Sequence, residues 1–311
     1  MQLTGKPIVY AVFIADNDYR KSSTKKSFWK GNHMENVITI KNLTKTYGKK
    51  RGVSDVSFDV HEGEIFGFIG PNGAGKSTTI RSMLGFLNFN SGSIQILGMD
   101  SIKDHEKILR EVGYMPSEAL FYPTMKVSEV IEYAAAVRKL DCKKEAAMLC
   151  DRLKIDTSKK IKELSLGNRK KVSIVCAMQH RPKLFIFDEP TSGLDPLMQN
   201  TFFELIKEYV DQGTTCMLST HVLPEVKRYC DRAAVMREGH LIKTAPVEEL
   251  IKTSVKNVKL TADGKQEDFV FKGDINELIT SLGNRKIENL TIEEPSLEDM
   301  FMHFYEDKEE K

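Results

Sequence analysis

Ile65-Phe66-Gly67-Phe68-Ile69-Gly70-Pro71-Asn72-Gly73-Ala74-Gly75-Lys76-Ser77 sets a continuous apolar run against a glycine-rich loop. The run predicts a buried strand, and Lys76 to Leu84 repeats at helical spacing, so strand, loop and helix follow in order. Gly70 to Ser77 fits G-x-x-x-x-G-K-[ST] in the setting where that pattern holds phosphate. The glycines let backbone N–H groups close around a β-phosphate at a helix N-terminus. Lys76 reaches the β- and γ-phosphates, and the Ser77 hydroxyl is a Mg²⁺ ligand. Gly70, Pro71, Asn72, Gly73, Ala74, Gly75, Lys76, Ser77 and Thr78 are the expected nucleotide contacts.

Further along, Leu184-Phe185-Ile186-Phe187-Asp188-Glu189 reads as a second buried strand, ending in two carboxylates. Asp188 is expected beside the magnesium, through water, and Glu189 beside the terminal phosphate. Alone, such a pair is also the charged end of an exposed strand; with the phosphate loop it points to a nucleoside triphosphatase. Thr215 to Leu218 is another short apolar run, and residues from about 125 to 163 are helical and charged. Upstream, Val37 to Val60 has strand-like spacing, with Tyr47-Gly48-Lys49-Lys50 as a turn between two strands. The expected fold is α/β: a parallel-sheet core with an antiparallel β subdomain and a helical subdomain.

The 311 residues have room for a sizeable core and two domains. Forty-six Lys+Arg against 44 Asp+Glu leave +2, so bulk charge offers no argument for nucleic acid. The longest uncharged apolar run, Ile8 to Ala15, is far short of the ~20 residues a membrane-spanning helix needs. It also makes a poor signal peptide, with Lys6 as its only preceding charge. Five cysteines without a C-x-x-C suggest neither a disulfide framework nor a zinc site, but buried thiols in a reducing cytosol.

Residues 1–33 end in a Lys-, Ser- and Thr-rich stretch and read as a disordered or non-native extension, with Met34 as the natural first residue. Residues 34–253 form the nucleotide-binding domain and 254–311 an acidic α+β accessory domain. In the latter, strand candidates Val255 to Leu260, Phe269 to Phe271 and Ile287 to Ile292 alternate with helices near Ile275 to Leu282 and Leu297 to Tyr305. Ser296-Leu297-Glu298-Asp299 after Pro295 is the start signal of the last helix, whose Leu297, Phe301 and Phe304 share one face.

Leu164-Ser165-Leu166-Gly167-Asn168, Ser192-Gly193-Leu194-Asp195 and His221 make the pattern specific. They resemble the signature, the D-loop and the switch histidine of the ATP-binding cassette family, and the resemblance runs from about Val37 to Lys243. It implies ATP and Mg²⁺ as cofactors and a head-to-tail homodimer, each ATP lying between the phosphate loop of one copy and the signature of the other. Ser165, Gly167 and Asn168 would then contact ATP in trans, and Asp195 would belong to the D-loop. Glu189 would be the general base, and His221 would hold the γ-phosphate and sense its loss. Tyr47 sits where the family stacks an aromatic on adenine. Taken singly, Tyr47 reads rather as a half-buried strand residue and His221 as a structural one.

Two departures stand out. Leu166 and Asn168 replace a signature glycine and glutamine, which restricts close backbone approach at 166. In Gly113-Tyr114-Met115-Pro116-Ser117-Glu118, Ser117 replaces the metal-contacting glutamine, so Ser117 is a further metal candidate through water and Glu118 a substitute. Both departures, and the ending Glu294 to Phe301, resemble ATPases of bacterial antibiotic-extruding pumps. The implied protein is a cytoplasmic subunit on the inner face of the membrane that energises a separate integral membrane permease, as an exporter. Leu120-Phe121-Tyr122-Pro123 is the exposed aromatic patch expected at that contact, or packing within the helical subdomain. The rivals are a soluble cassette ATPase on nucleic acid or ribosomes and a weakly hydrolysing ATP sensor. A single phosphate loop and signature, with no long heptad run between Lys76 and Ser165, weigh against the first. No nucleic acid partner is expected.

Overall fold

A computed structural model describes residues 35–48, 50–118, 120–251, 255–283 and 285–293. The chain opens with β1 (Asn36–Tyr47) and β2 (Lys50–His61), then β3 (Ile65–Ile69), the phosphate loop and α1 (Lys76–Met83). Next come β4 (Ser91–Ile96), β5 (Met99–Asp100), α2 (His105–Glu111) and β6 (Val112–Met115). A helical stretch holds α3 (Val127–Val137), α4 (Lys143–Arg152) and α5 (Leu166–Met178). Strand and helix then alternate through β7 (Leu184–Asp188), α6 (Pro196–Val210), β8 (Thr215–Thr220), α7 (Leu223–Tyr229), β9 (Arg232–Arg237), β10 (His240–Pro246) and α8 (Val247–Ile251). The remainder is β11 (Val255–Ala262), β12 (Lys265–Lys272), α9 (Ile275–Leu282) and β13 (Ile287–Glu293).

Six strands form the central sheet in the order β10-β9-β3-β8-β7-β6, parallel except for the β9–β10 hairpin. Every residue of β3, β7 and β8 is buried, as their unbroken apolar runs predict. The two-residue strand period then sorts side chains between two cores. Phe66, Phe68, Leu184, Ile186 and Met217 pack with α1 and the inner face of a four-stranded antiparallel sheet, β2-β1-β4-β5, through Ile38, Ile40, Val56 and Phe58. The alternating partners Phe185, Phe187, Cys216 and Leu218 pack instead against α3 to α6. All three layers of the expected α/β cassette are present. The phosphate loop leaves the carboxyl end of β3 at the middle of the central sheet, where open α/β sheets bind ligands.

The third sheet, β12-β11-β13, is antiparallel and buries Val258, Leu260 and Ala262 against Leu278 and Leu282 of α9. The helix expected at Leu297 to Tyr305, its Pro295 to Asp299 start signal and the 1–33 extension lie outside the described residues. The sequence reading did not mark β4, β5, α2, β9 or β10. Both roles considered for the 120–123 segment are met in part: Leu120 and Tyr122 are exposed, while Phe121 is half-buried and packs against the helical core.

Candidate functional site

The phosphate loop lines a cleft of about 290 Å³ with Pro71, Asn72, Gly73, Ala74, Gly75, Lys76, Ser77 and Thr78. Tyr47 and Gly52 form one wall, and Ser117 and Glu189 the other edge. Gly70 is buried at the end of β3, outside the lining. Gly75 caps α1 with φ +101°, and a Cβ there would stand 2.5 Å from Val53 Cγ1, so only glycine fits. No side chain caps α1, and its first turn has no acidic residue, which suits its N-terminal amides to an anion. The Lys76 ammonium donates to the Gly70 and Pro71 carbonyls at 2.6 and 3.2 Å. It is thereby fixed within the loop that it serves.

Two carboxylates follow from the end of β7. Asp188 is fully buried; its Oδ1 accepts from Ser219 Oγ at 2.5 Å, while Oδ2 has no hydrogen-bond partner among the described residues. A buried orphan carboxylate oxygen is costly unless a cation or water satisfies it. Asp188 itself does not line the cleft; with the cleft-lining Ser77 and Ser117 it offers oxygen donors of the kind a hard divalent cation takes. The residues therefore fit Mg²⁺. Glu189 sits at φ +50°, rare for a residue with a Cβ, and its N–H donates to the Ser219 carbonyl at 3.1 Å. That turn carries its side chain away from the strand: Oε1 lies 3.2 Å from Lys76 Nζ and Oε2 2.8 Å from His221 Nδ1.

His221 is half exposed and reaches the cleft through Glu189 rather than lining it. Behind it, Thr220 Oγ1 donates to Glu225 Oε2 at 3.0 Å and accepts from the Val222 N–H at 3.0 Å, fixing the bend after β8. Burial raises the Glu225 pKa, and hydrogen bonds from Thr191 and Thr220 oppose that rise. Tyr47 stands at the mouth, 46% exposed, its hydroxyl 3.5 Å from Thr78 Oγ1. The Lys45 ammonium lies over the ring, 5.2 Å from its centroid.

Ser165, Gly167, Asn168 and Asp195 do not line the cleft. Ser165 is the N-cap of α5 and accepts from the Asn168 N–H at 3.3 Å, while Asp195 caps α6 by accepting from the Met198 N–H at 3.0 Å. Gly167 is required within the chain itself, since a Cβ would lie 2.5 Å from the Gly193 carbonyl oxygen. Leu166 is 60% exposed on the same edge. Sequence reasoning missed Gly52, Ser219, Glu225 and Lys170, the last of which donates to the Ser117 carbonyl at 2.8 Å. Ser219 and Lys170 meet their partners from 31 and 53 positions away, which no linear pattern marks.

The family profile described as "ABC transporter" matches residues 53–192. The ABC transporter ATP-binding protein MJ1023 of Methanocaldococcus jannaschii is 36% identical over 222 residues, 70% of this chain and 80% of the relative. The bacitracin transport ATP-binding protein BcrA of Bacillus licheniformis is 30% identical over 301 residues, 86% of this chain and 97% of the relative. A solved ATP-binding subunit of an ABC transporter superposes with a TM-score of 0.68 at 26% identity, covering 86% of this chain and 99% of that one. The chain belongs to the ABC transporter family, as one of its ATP-binding, ATP-hydrolysing subunits.

Proposed function

We propose that this subunit dimerises head to tail on ATP and drives a separate membrane permease of an exporter, with Glu189 as the base that activates water. The observation that carries the reading is the convergence of Lys76 and His221 on one carboxylate, Glu189, at the edge of the phosphate-loop cleft. A carboxylate in that position can take the proton of a water aligned with the terminal phosphate, and His221 can orient the carboxylate and hold the γ-phosphate. Lys76 and the open amides of α1 neutralise the β- and γ-phosphates, and Tyr47 stacks on the adenine. Ser77 and Asp188, with Ser117 as a third group, would hold Mg²⁺, which supplies charge neutralisation at the phosphates.

Ser165, Gly167 and Asn168 lie on an edge away from their own cleft, which supports their use on the ATP of a second copy, with the Asp195 turn beside them. The exporter assignment draws on the similarity to BcrA, whose name is that of a bacitracin transport protein. No helix of the described residues is long and apolar enough to cross a membrane, so a permease supplies the path and the subunit works at the inner face of the membrane. A division near residue 253 between the nucleotide-binding domain and an accessory domain belongs to the same reading. Glu189→Gln tests the base directly. Phosphate release should fall by about 100-fold or more while ATP-dependent dimers accumulate. Turnover at the wild-type rate would remove Glu189 from that role.

A further inference from the structure

We propose that Lys170 is a positioning residue that ties the Ser117 edge of the nucleotide cleft to the helix that Ser165 caps, through the hydrogen bond from its ammonium to the Ser117 carbonyl. The inference rests on reading the cleft as an ATPase site. Lysines are almost never fully buried unless paired, yet Lys170 is 4% exposed. Its Nζ donates to Ser117 O at 2.8 Å. Burial pulls its pKa below the ordinary lysine value, and Glu189, Asp188 and Glu118 nearby hold it up. The ammonium therefore lies in the field of the site's own carboxylates while its directed bond goes to a loop.

The two ends of this bond belong to different parts of the mechanism. Ser117 lines the cleft two residues beyond β6, and α5 packs on β6 and on α3 and α4. Lys170 lies about one and a half turns from Ser165, on the helix whose N-terminus is proposed to meet the second copy's ATP. A displacement of the Ser117 segment by nucleotide is thus passed to α5 through one charge-assisted bond. Because the acceptor is a main-chain carbonyl, the tie does not depend on the length of the side chain at 117.

Lys170→Met keeps an unbranched apolar stem and removes the donor; Lys170→Gln removes the charge and keeps a donor. Amide hydrogen exchange at Ser117 and Glu118, kcat and KM for ATP hydrolysis, and Tm are measured for both variants in the full chain. Lys170→Met is expected to speed exchange at Ser117 and Glu118 at least about fivefold and to lower kcat about tenfold, with KM moved less than about threefold. Lys170→Gln is expected to return both to within about threefold of wild type. Unchanged exchange in Lys170→Met, or equal damage in both variants, overturns the proposal. If Lys170→Met does not fold, Lys170→Gln decides: near-wild-type exchange and kcat support the tie, and an about tenfold loss of kcat refutes it. Turnover insensitive to Glu189→Gln would instead count against Glu189 as the base of this cleft, while the exchange result still judges Lys170.

Discussion

Gly167→Ala isolates the contact between the start of α5 and the turn that follows Glu189. The added methyl carbon would stand 2.5 Å from the Gly193 carbonyl oxygen, where ordinary contact begins at 3.4 Å, so a gap of about 0.9 Å has to open. α5 is poorly placed to yield, since Lys170 to Val175, Ala177 and Met178 are buried or packed within the core. The yielding part is the Thr191–Leu194 turn, closed by Leu194 N–H to the Thr191 carbonyl at 3.0 Å, with Gly193 at φ +82°. Overpacking of this kind costs about 1 to 3 kcal/mol, a fall in Tm of roughly 2 to 12 °C. Helix propensity alone has the opposite sign, because alanine is favoured over glycine by up to about 1 kcal/mol. A misplacement of about 1 Å beside Glu189, the proposed base, would lower turnover ten- to a hundredfold. Scanning calorimetry and phosphate release measure both effects. Leu166→Ala, at an exposed neighbour, is the control, expected within about 0.5 kcal/mol of wild type. A Gly167→Ala protein that melts at or above the wild-type temperature and turns over normally would refute the packing argument.

Lys76→Ala removes the ammonium that the Gly70 and Pro71 carbonyls hold over the loop, and ATP affinity measured with a fluorescent analogue should fall by about 10- to 150-fold. Unaltered affinity would contradict the phosphate-loop assignment. Acid should destabilise the fold through His180, whose pKa burial, helped by nearby Arg138, lowers from 6.5 to about 3. The unfolded chain binds that proton below pH 6.5 and the folded chain does not, so stability is whole above pH 6.5 and falls as pH drops towards 3, by about 1.4 kcal/mol per unit. Tm against pH should therefore slope more gently below 6.5 in His180→Leu than in wild type; parallel curves would show that His180 is not the proton site.

What the sequence revealed and what it hid divide along physical lines. The phosphate loop and the Asp188-Glu189 strand end were legible because their chemistry is contiguous and their strands are buried on both faces, leaving unbroken apolar runs. The β4 strand carries only two buried residues, Ile94 and Ile96, among exposed polar ones, and most of β10 is half buried, so neither shows a period. Contacts made by folding are also silent in a linear reading. Lys170 meets Ser117 from 53 positions away, Ser219 meets Asp188 from 31, and Gly52 reaches the cleft only because β2 folds back along β1. The left-handed turn at Glu189 could not be inferred either, since glutamate has no local preference for it.

The outer edge of the cassette shows why two caps with similar geometry can serve different ends. Ser165 and Asp195 each accept a backbone N–H at the start of a helix, at 3.3 and 3.0 Å. A serine hydroxyl has two lone pairs and a proton, so Ser165 can keep its cap on α5 and still donate to a phosphate oxygen brought by a second copy. An ionised aspartate has no proton to give and would repel that phosphate, so Asp195 serves best as the fixed cap of α6. Leu166 beside Ser165 adds bulk but no hydrogen-bonding group, so the polar contact on this edge falls to Ser165, the open amides of α5 and the Asn168 side chain. The proposed trans contact thus needs no rearrangement of α5 on arrival of nucleotide, only approach of the second copy, and the position of α5 relative to the cleft is what the Lys170 tie to Ser117 would set.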